Sequence, residues 1–565
     1  MASSAKQQLL KLQKSMYQRA LEEARESAGV DNESISGYQV AFNESLPPKA
    51  TSIPARKLLE AIDTQQIVLF GDFHSHKQSQ RAFLRILRMY LNRPDHGPVI
   101  VFMEMFRTED QYLIDDWLTG KISDHELLEA IDYDHTWGFP WNNYRPILEI
   151  CKYQNLKIIG INTKRGGKDS LATRDDHAAS LIIEHASKNA SSKIFCMIGE
   201  FHLADTHLPE AIAKKSAEAG LKTVRVFSNV DKYYFGLDPD KIHHRDEYLS
   251  LGGRDFCVIN SPPWIKWQSQ SLWEEIRRLG PIKYLEDAIA PDDVEADLDT
   301  WEDDDTMLYN EDMLDLDYHL DHIQKQLSEF FKLKTAKKPS EQFHIMHGNI
   351  DDDLAGLNEP ASNLMLSEAS IEGYSVSYAS NLVYMQDVTI NNLAASAGQI
   401  LFGSLAKLNE DFENDESLFV THCLKFTFGY IANKILNPRL PMHTTRQLES
   451  YLLSAKGRRL IGSMRERRRT VQATLKLFDW IKEHWSPKTQ DLKNLKRIPR
   501  EFITTNFESN HELARNLAQL VAEPICRALT RGKIDTVDLQ RCFQRNCEKP
   551  NDAKSTLSQL LALGN

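Results

Sequence analysis

The sequence has no apolar run of membrane-spanning length, which argues against an integral helical membrane protein. It has no C-x-x-C pair. Its seven cysteines, Cys151, Cys196, Cys257, Cys423, Cys526, Cys542 and Cys547, are scattered and odd in number. That pattern predicts free thiols in a reducing compartment and excludes a zinc-knuckle or c-type haem attachment site. There is no excess of basic residues: the net charge is -12 and the pI about 5.9, so a globally basic nucleic-acid binder is excluded. No fixed-period repeat is present. The opening stretch MASSAKQQLLKLQKSMYQRALEEARE lacks an h-region, a small-residue cleavage site and a lipobox-like cysteine. It predicts an amphipathic helix and not a signal peptide, and with the cysteine usage it sets a cytoplasmic expectation.

What the chain does contain is a length of 565 residues, enough for several domains, with 41% hydrophobic residues to fill their cores. Short apolar runs at 67–70, 99–103, 156–161, 194–198 and 223–227 alternate with helical patterns such as 78–91, 144–153 and 175–187. Apolar strands separated by helices predict βαβ units and a parallel sheet covered on both faces. A further strand at 256–259 precedes Pro262 and Pro263, which suggests a sheet edge.

Residues 286–321 hold sixteen carboxylates and no Lys or Arg, so the remaining residues sum to +4. Charge this dense predicts a solvated linker, and the missing loop glycine excludes an EF-hand. Beyond it the pattern is helical, with a polar, turn-rich loop expected at 347–373. The expected division is an N-terminal helix and linker at 1–46, an α/β domain at 47–285, the acidic linker, and an all-helical domain at 322–565. The basic cluster Lys456, Arg458, Arg459, Arg465, Arg467, Arg468 and Arg469 reads first as a solvated helix face and second as a phosphate contact.

The chemistry sits in a duplicated construction. One strand runs into Gly71-Asp72-Phe73-His74 and a later one into Gly199-Glu200-Phe201-His202, and a third strand, between them in sequence, ends at Glu104. In a parallel sheet, ligands bind outside the carboxyl ends of the strands, where such loops converge. The glycines suggest a sharp exit from each strand. His74, His202 and Glu104 suit Zn, Mn or Fe as ligands, with Asp72 or Glu200 orienting a ligand or accepting a proton. The same groups could work as acid and base without a metal. Arg107 or Arg165 could stabilise developing negative charge. The rival readings are helix caps for Asp72, Glu200 and the histidines, an ion-pair role for Glu104, and core packing for Trp137, Trp141 and Tyr144.

The two motifs GDFH and GEFH, the segment VFMEMFRTEDQ and the tract WGFPWNNYRPILEICKYQNLKIIGINTKR give residues from about 64 to 266 a family likeness. This part resembles the ChaN-like domain of the haem-binding-uptake Tiki superfamily, with TraB-like proteins and erythromycin esterases as more distant relatives. The family's pattern maps onto Gly71, Asp72, His74, Glu104, Gly199, Glu200 and His202. Its aromatic tract maps onto Trp137, Trp141, Tyr144 and Arg145, with Asn162 and Arg165 after the next strand. The resemblance implies a haem or divalent-metal ligand, and a cofactor-binding role for Tyr144, Trp141, Arg145 and Asn162. A tyrosinate at Tyr144 could ligate haem iron.

The expected function is a protein that holds haem or a divalent metal ion at paired G-x-x-H loops. The resemblance also implies an alternative, a hydrolase attacking an ester or amide bond with water activated by His and Glu. A third alternative is a non-catalytic scaffold. Expected partners are a small molecule, haem or a peptide, without membrane insertion. Nucleic acid is not expected, and homo-oligomer assembly is left open.

Overall fold

The computed structural model describes residues 5–28, 33–163, 170–216, 221, 223–238, 246–279, 316–334, 337–347, 359–386, 388–408, 415–454, 463–485, 495–503, 507–547 and 549–564. Two compact units emerge, one of Tyr17–Tyr309 and one of Met1–Met16 with Asn310–Asn565. Most of the acidic stretch, 286–315, lies outside the described residues, as do Arg165, Lys456, Arg458 and Arg459. Among the described residues no helix is long and apolar enough to cross a membrane. None of the seven cysteines is in a disulfide, and all are buried.

The first unit is an α/β fold around eight strands: β1 (Thr51–Ile53), β2 (Ile67–Asp72), β3 (Val99–Arg107), β4 (Lys157–Asn162), β5 (Lys193–Gly199), β6 (Thr223–Ser228), β7 (Glu247–Gly252) and β8 (Asp255–Ile259). Their order across the sheet is β1-β7-β8-β6-β2-β5-β3-β4. The five pairings from β8 to β4 are parallel, and β7 and β1 add on antiparallel. Every residue of β2 and β3 is buried, as a strand covered on both faces requires. Helices such as Lys77–Leu91 supply the cover, burying Phe83, Ile86, Leu87 and Tyr90 on one stripe.

The strand at 256–259 is not at the edge. It lies inside the sheet, because β7 and β1 pair beyond it. The prolines follow the end of β8 and remove no donor from its ladder. β1 has three residues and β7 alternates buried and half-buried positions, so neither carries the continuous apolar run that marks the others.

The second unit is helical, with a small sheet of β9 (His344–His347), β10 (Tyr374–Ser377) and β11 (Leu382–Met385) in the order β10-β11-β9. The expected loop at 347–373 holds a helix in its second part, Glu359–Glu372. Ser362, Asn363 and Ser367 hid its periodicity, which rests on a buried Met365, Glu368 and Ala369. Within this unit His422 is 6% exposed. Burial, with Lys425 and His511 adding to it, holds its pKa well below the ordinary value. The folded form therefore refuses a proton that the unfolded chain accepts below about pH 6.5. Stability that is complete above that pH is lost as the pH falls. Urea midpoints between pH 8 and pH 5 should show a decline that His422→Gln flattens.

Candidate functional site

The carboxyl ends of three adjacent strands, β2, β5 and β3, build the site. Parallel pairing sets Asp72 opposite Gly199 and Met103 opposite Met197. Past Met103 the register of β3 against β4 shifts, a bulge that spans Glu104. Gly160 allows it: a Cβ there would stand 2.6 Å from the Arg107 carbonyl oxygen. Bulges re-aim side chains, and Glu104 here faces both histidines.

His74 Nδ1 lies 2.8 Å from Asp72 Oδ2, and its Nε2 is 3.7 Å from Glu104 Oε2. His202 Nδ1 lies 2.6 Å from Asp175 Oδ1, and its Nε2 is 3.6 Å from Glu104 Oε1. The Gly199 amide donates to Glu104 Oε2 at 2.7 Å. Each imidazole is thus anchored through one nitrogen on its own carboxylate and turns the other to a shared one. Burial opposes charge on the two histidines, but Asp72 and Glu104 for His74, and Asp175 and Glu104 for His202, outweigh it and raise both pKa values. Burial would raise the Glu104 carboxyl, yet the two imidazoles, the Gly199 amide and Arg174 bring it below the ordinary value. Trp137 and Phe139 flank the His74 ring at 4.5 and 5.0 Å.

The motif glycines serve space and not backbone freedom. Gly199 has φ -50° and ψ 139°, open to any residue, and Gly71 is not among the positive-φ glycines. A Cβ on Gly199 would stand 3.2 Å from His74 Nε2, 3.4 Å from Glu104 Oε2 and 3.5 Å from His202 Cδ2. A Cβ on Gly71 would press on Glu200 and Leu203 at 3.2 Å. The expected sharp exit is therefore replaced by close packing at both positions.

The duplicated acids part company. Asp72 accepts from Gln80 Nε2 at 2.7 Å and from the Tyr144 hydroxyl at 2.8 Å as well as meeting His74, so its carboxylate is engaged by side chains and not by a helix end. His76, not His74, occupies the N-cap position of helix Lys77–Leu91. Glu200 leaves the cluster and pairs with Lys266, whose Nζ donates to its two oxygens at 2.8 and 3.1 Å. Both are buried, and they line a cavity of 310 Å³ with Tyr17, Asp231, Phe235 and Trp267.

The remaining expected residues are not tied to the cluster. Arg107 binds Asp110 at 2.8 Å and the Ile131 carbonyl at 2.7 Å. Trp141 packs edge-on against Tyr133, and its indole N–H points to Asp124 at 3.4 Å. Arg145 pairs with Asp124 at 2.9 Å, and Asn162 accepts from the amide of Thr163 at 2.9 Å. Tyr144 is 1% exposed and its hydroxyl donates a hydrogen bond to Asp72, and burial and then that carboxylate push its pKa well up. A buried phenol held protonated does not fit an axial tyrosinate.

Three residues escaped the sequence reading. Asp175 sits in helix Leu171–Lys188, whose start is fixed by Ser170 accepting from the Thr173 amide at 3.2 Å. Gln80 lies on the helix after GDFH, and Lys266 follows the prolines after β8. Only Asp175 had a signal, a buried-face acid in an amphipathic helix. Among the described residues no three His, Cys, Asp or Glu groups are drawn together at metal-holding distance as they stand.

No curated protein matches the sequence. A solved structure described as cofacial heme binding to ChaN of Campylobacter jejuni is similar at 16% identity, over 36% of this chain and 90% of that one, with a TM-score of 0.25. Residues 58–173 match the family model described as haem-binding uptake, Tiki superfamily, ChaN. By that match, residues 58–173 of the α/β unit are similar to the ChaN family of the haem-binding-uptake Tiki superfamily.

Proposed function

We propose that the ChaN-like domain holds a divalent metal ion between His74 Nε2, Glu104 and His202 Nε2. The observation that carries this is the paired anchoring: each Nδ1 is held on a carboxylate while both Nε2 atoms face Glu104. Histidines that ligate metals are oriented in this way, with the second ring nitrogen donating to a carboxylate. Two His and one Glu form a ligand set for zinc that leaves a fourth position open. Ligands about 2.0–2.1 Å from a tetrahedral ion stand roughly 3.3 Å apart. The separations of 3.7 and 3.6 Å here need to close by a few tenths of an ångström. The space left by the missing Gly199 Cβ opens onto all three side chains. A bound ion would supply Lewis acidity, and Asp72 and Asp175 would keep the imidazoles aimed at it.

The family match favours haem as a second reading, with the aromatic wall of Trp137 and Phe139 beside His74 as its support. The hydrolase reading uses the same Glu104 as base and predicts ester or amide turnover that Glu104→Gln abolishes.

Elemental analysis and zinc or manganese titration of the full chain test the first reading. One ion per chain is expected, lost when His74→Ala and His202→Ala are combined. A Soret band on haemin addition, without metal uptake, would replace metal by haem. On the geometry here that band should survive Tyr144→Phe.

A further inference from the structure

The two histidines head matching chains of contacts. His74 meets Asp72, and the same oxygen of Asp72 accepts from the Tyr144 hydroxyl at 2.8 Å. His202 meets Asp175 Oδ1, and Asp175 Oδ2 accepts from the Tyr38 hydroxyl at 2.9 Å. The first His–Asp–Tyr chain lies wholly inside the family match at 58–173. The second lies wholly outside it, with Tyr38 before the match and Asp175 and His202 after.

Tyr38 belongs to helix Glu33–Ser45, in the stretch before residue 47 expected to be a polar linker. Its ring stacks on His207 at 3.6 Å with 17° between planes and meets the His202 ring edge-on at 5.7 Å. His207 is itself held, its Nδ1 lying 3.0 Å from the Phe201 carbonyl oxygen. The phenol is therefore fixed by a ring on two sides and by a carboxylate at its tip. Asp175 is 3% exposed, and its two oxygens go to different partners, one to the imidazole and one to the phenol. A carboxylate tied at both oxygens cannot rotate about its own axis, so the imidazole it holds keeps one orientation.

We propose that Asp175 and Tyr38 are positioning residues for His202, and that the helix Glu33–Ser45 is a working part of the site. They keep Nδ1 as the anchored nitrogen and leave Nε2 directed at Glu104. His202 stands between two carboxylates, and Asp175 at 2.6 Å is within hydrogen-bond reach where Glu104 at 3.6 Å is not; the Tyr38 hydroxyl holds the other oxygen of that Asp175 carboxylate in place. The consequence for metal affinity rests on the reading above. The positioning of the ring does not.

The test uses the full chain with nitrogen-15-labelled histidine. An imidazole N–H buried against a carboxylate gives a low-field proton signal, so one is expected from Nδ1 of His74 and one from Nδ1 of His202, beside any from Nε2 of His511, which lies 3.3 Å from Glu372. Asp175→Ala should remove the His202 signal and leave that of His74. Tyr38→Phe keeps the stacked ring and removes only the hydroxyl; it should shift or broaden the same signal, and it decides the matter if Asp175→Ala does not fold. Zinc affinity should fall about 10–100-fold in Asp175→Ala and about tenfold in Tyr38→Phe, the range for loss of outer-shell partners. An unmoved His202 signal in Tyr38→Phe overturns the proposal. If the signals respond as expected but the wild type takes up no zinc, the metal reading fails and the positioning role stands.

Discussion

Lys266→Ala should lower the stability of the α/β unit by about 3–5 kcal/mol, the cost of removing one partner from a buried ion pair. Lys266 and Glu200 are 3% and 5% exposed, and the ammonium reaches both carboxylate oxygens. Lys266 also lies 4.5 Å from the Phe73 ring centroid, so it bridges the GDFH and GEFH loops from one side. Without it Glu200 is left buried with Asp231 and Asp72 as like-charged neighbours. Burial already outweighs the attraction of Lys266 and raises the Glu200 carboxyl above its ordinary value. The variant carboxyl should therefore take up a proton, which limits the loss and makes it smaller at low pH. Lys266→Met combined with Glu200→Gln removes both charges and should recover most of the stability. Scanning calorimetry resolves the outcome, because a chain of two compact units need not melt in one step. If Lys266→Ala melts with the wild type, the pair is not holding the two loops.

The divergence of Asp72 and Glu200 shows where the sequence was legible and where it was not. Strands β2 to β5 and β8 announce themselves as apolar runs, since burial on both faces leaves few polar positions, and β6 does so around Arg225. β1 and β7 lie beyond β8, and their shortness or alternation carries no such mark. The convergence of His74, Glu104 and His202 was readable because strand ends in a parallel sheet share one rim. Which acid goes with which histidine was not. Two motifs of equal form, G-D-F-H and G-E-F-H, end in different networks. Asp72 is short enough to reach the histidine of its own loop, whereas Glu200 turns to Lys266, and the vacant place beside His202 is taken by Asp175 from a helix. Such exchanges depend on side-chain length and on contacts distant in sequence. Tyr144 illustrates the same limit: its place in an aromatic tract suggested a ligand, but only its neighbours reveal a phenol committed to Asp72.

Gly199→Ala should weaken ligand binding at the cluster severely while leaving the fold nearly intact. The backbone at 199 already has angles that alanine adopts, so no strain arises from φ and ψ. The added methyl instead occupies the space between the three side chains, at 3.2 Å from His74 Nε2 and 3.4 Å from Glu104 Oε2. His74 is the group able to give, with about a fifth of its side chain exposed against under a tenth for Glu104 and His202. Its movement opens the gap to Glu104 that metal binding must close. Zinc affinity is expected to fall by about 10–100-fold or more, at least the loss seen when a ligand's support is removed. Gly71→Ala provides the contrast. Its Cβ meets the Glu200 backbone and Leu203, packing that cannot give as the partly exposed His74 ring can, so the expected cost is about 1–3 kcal/mol of stability. Titration and thermal melting of the two variants together separate the roles. Binding lost with stability kept at 199, and the reverse at 71, would assign one glycine to the ligand and the other to the fold. Equal zinc binding in Gly199→Ala and wild type would show that the ion, if bound, lies elsewhere.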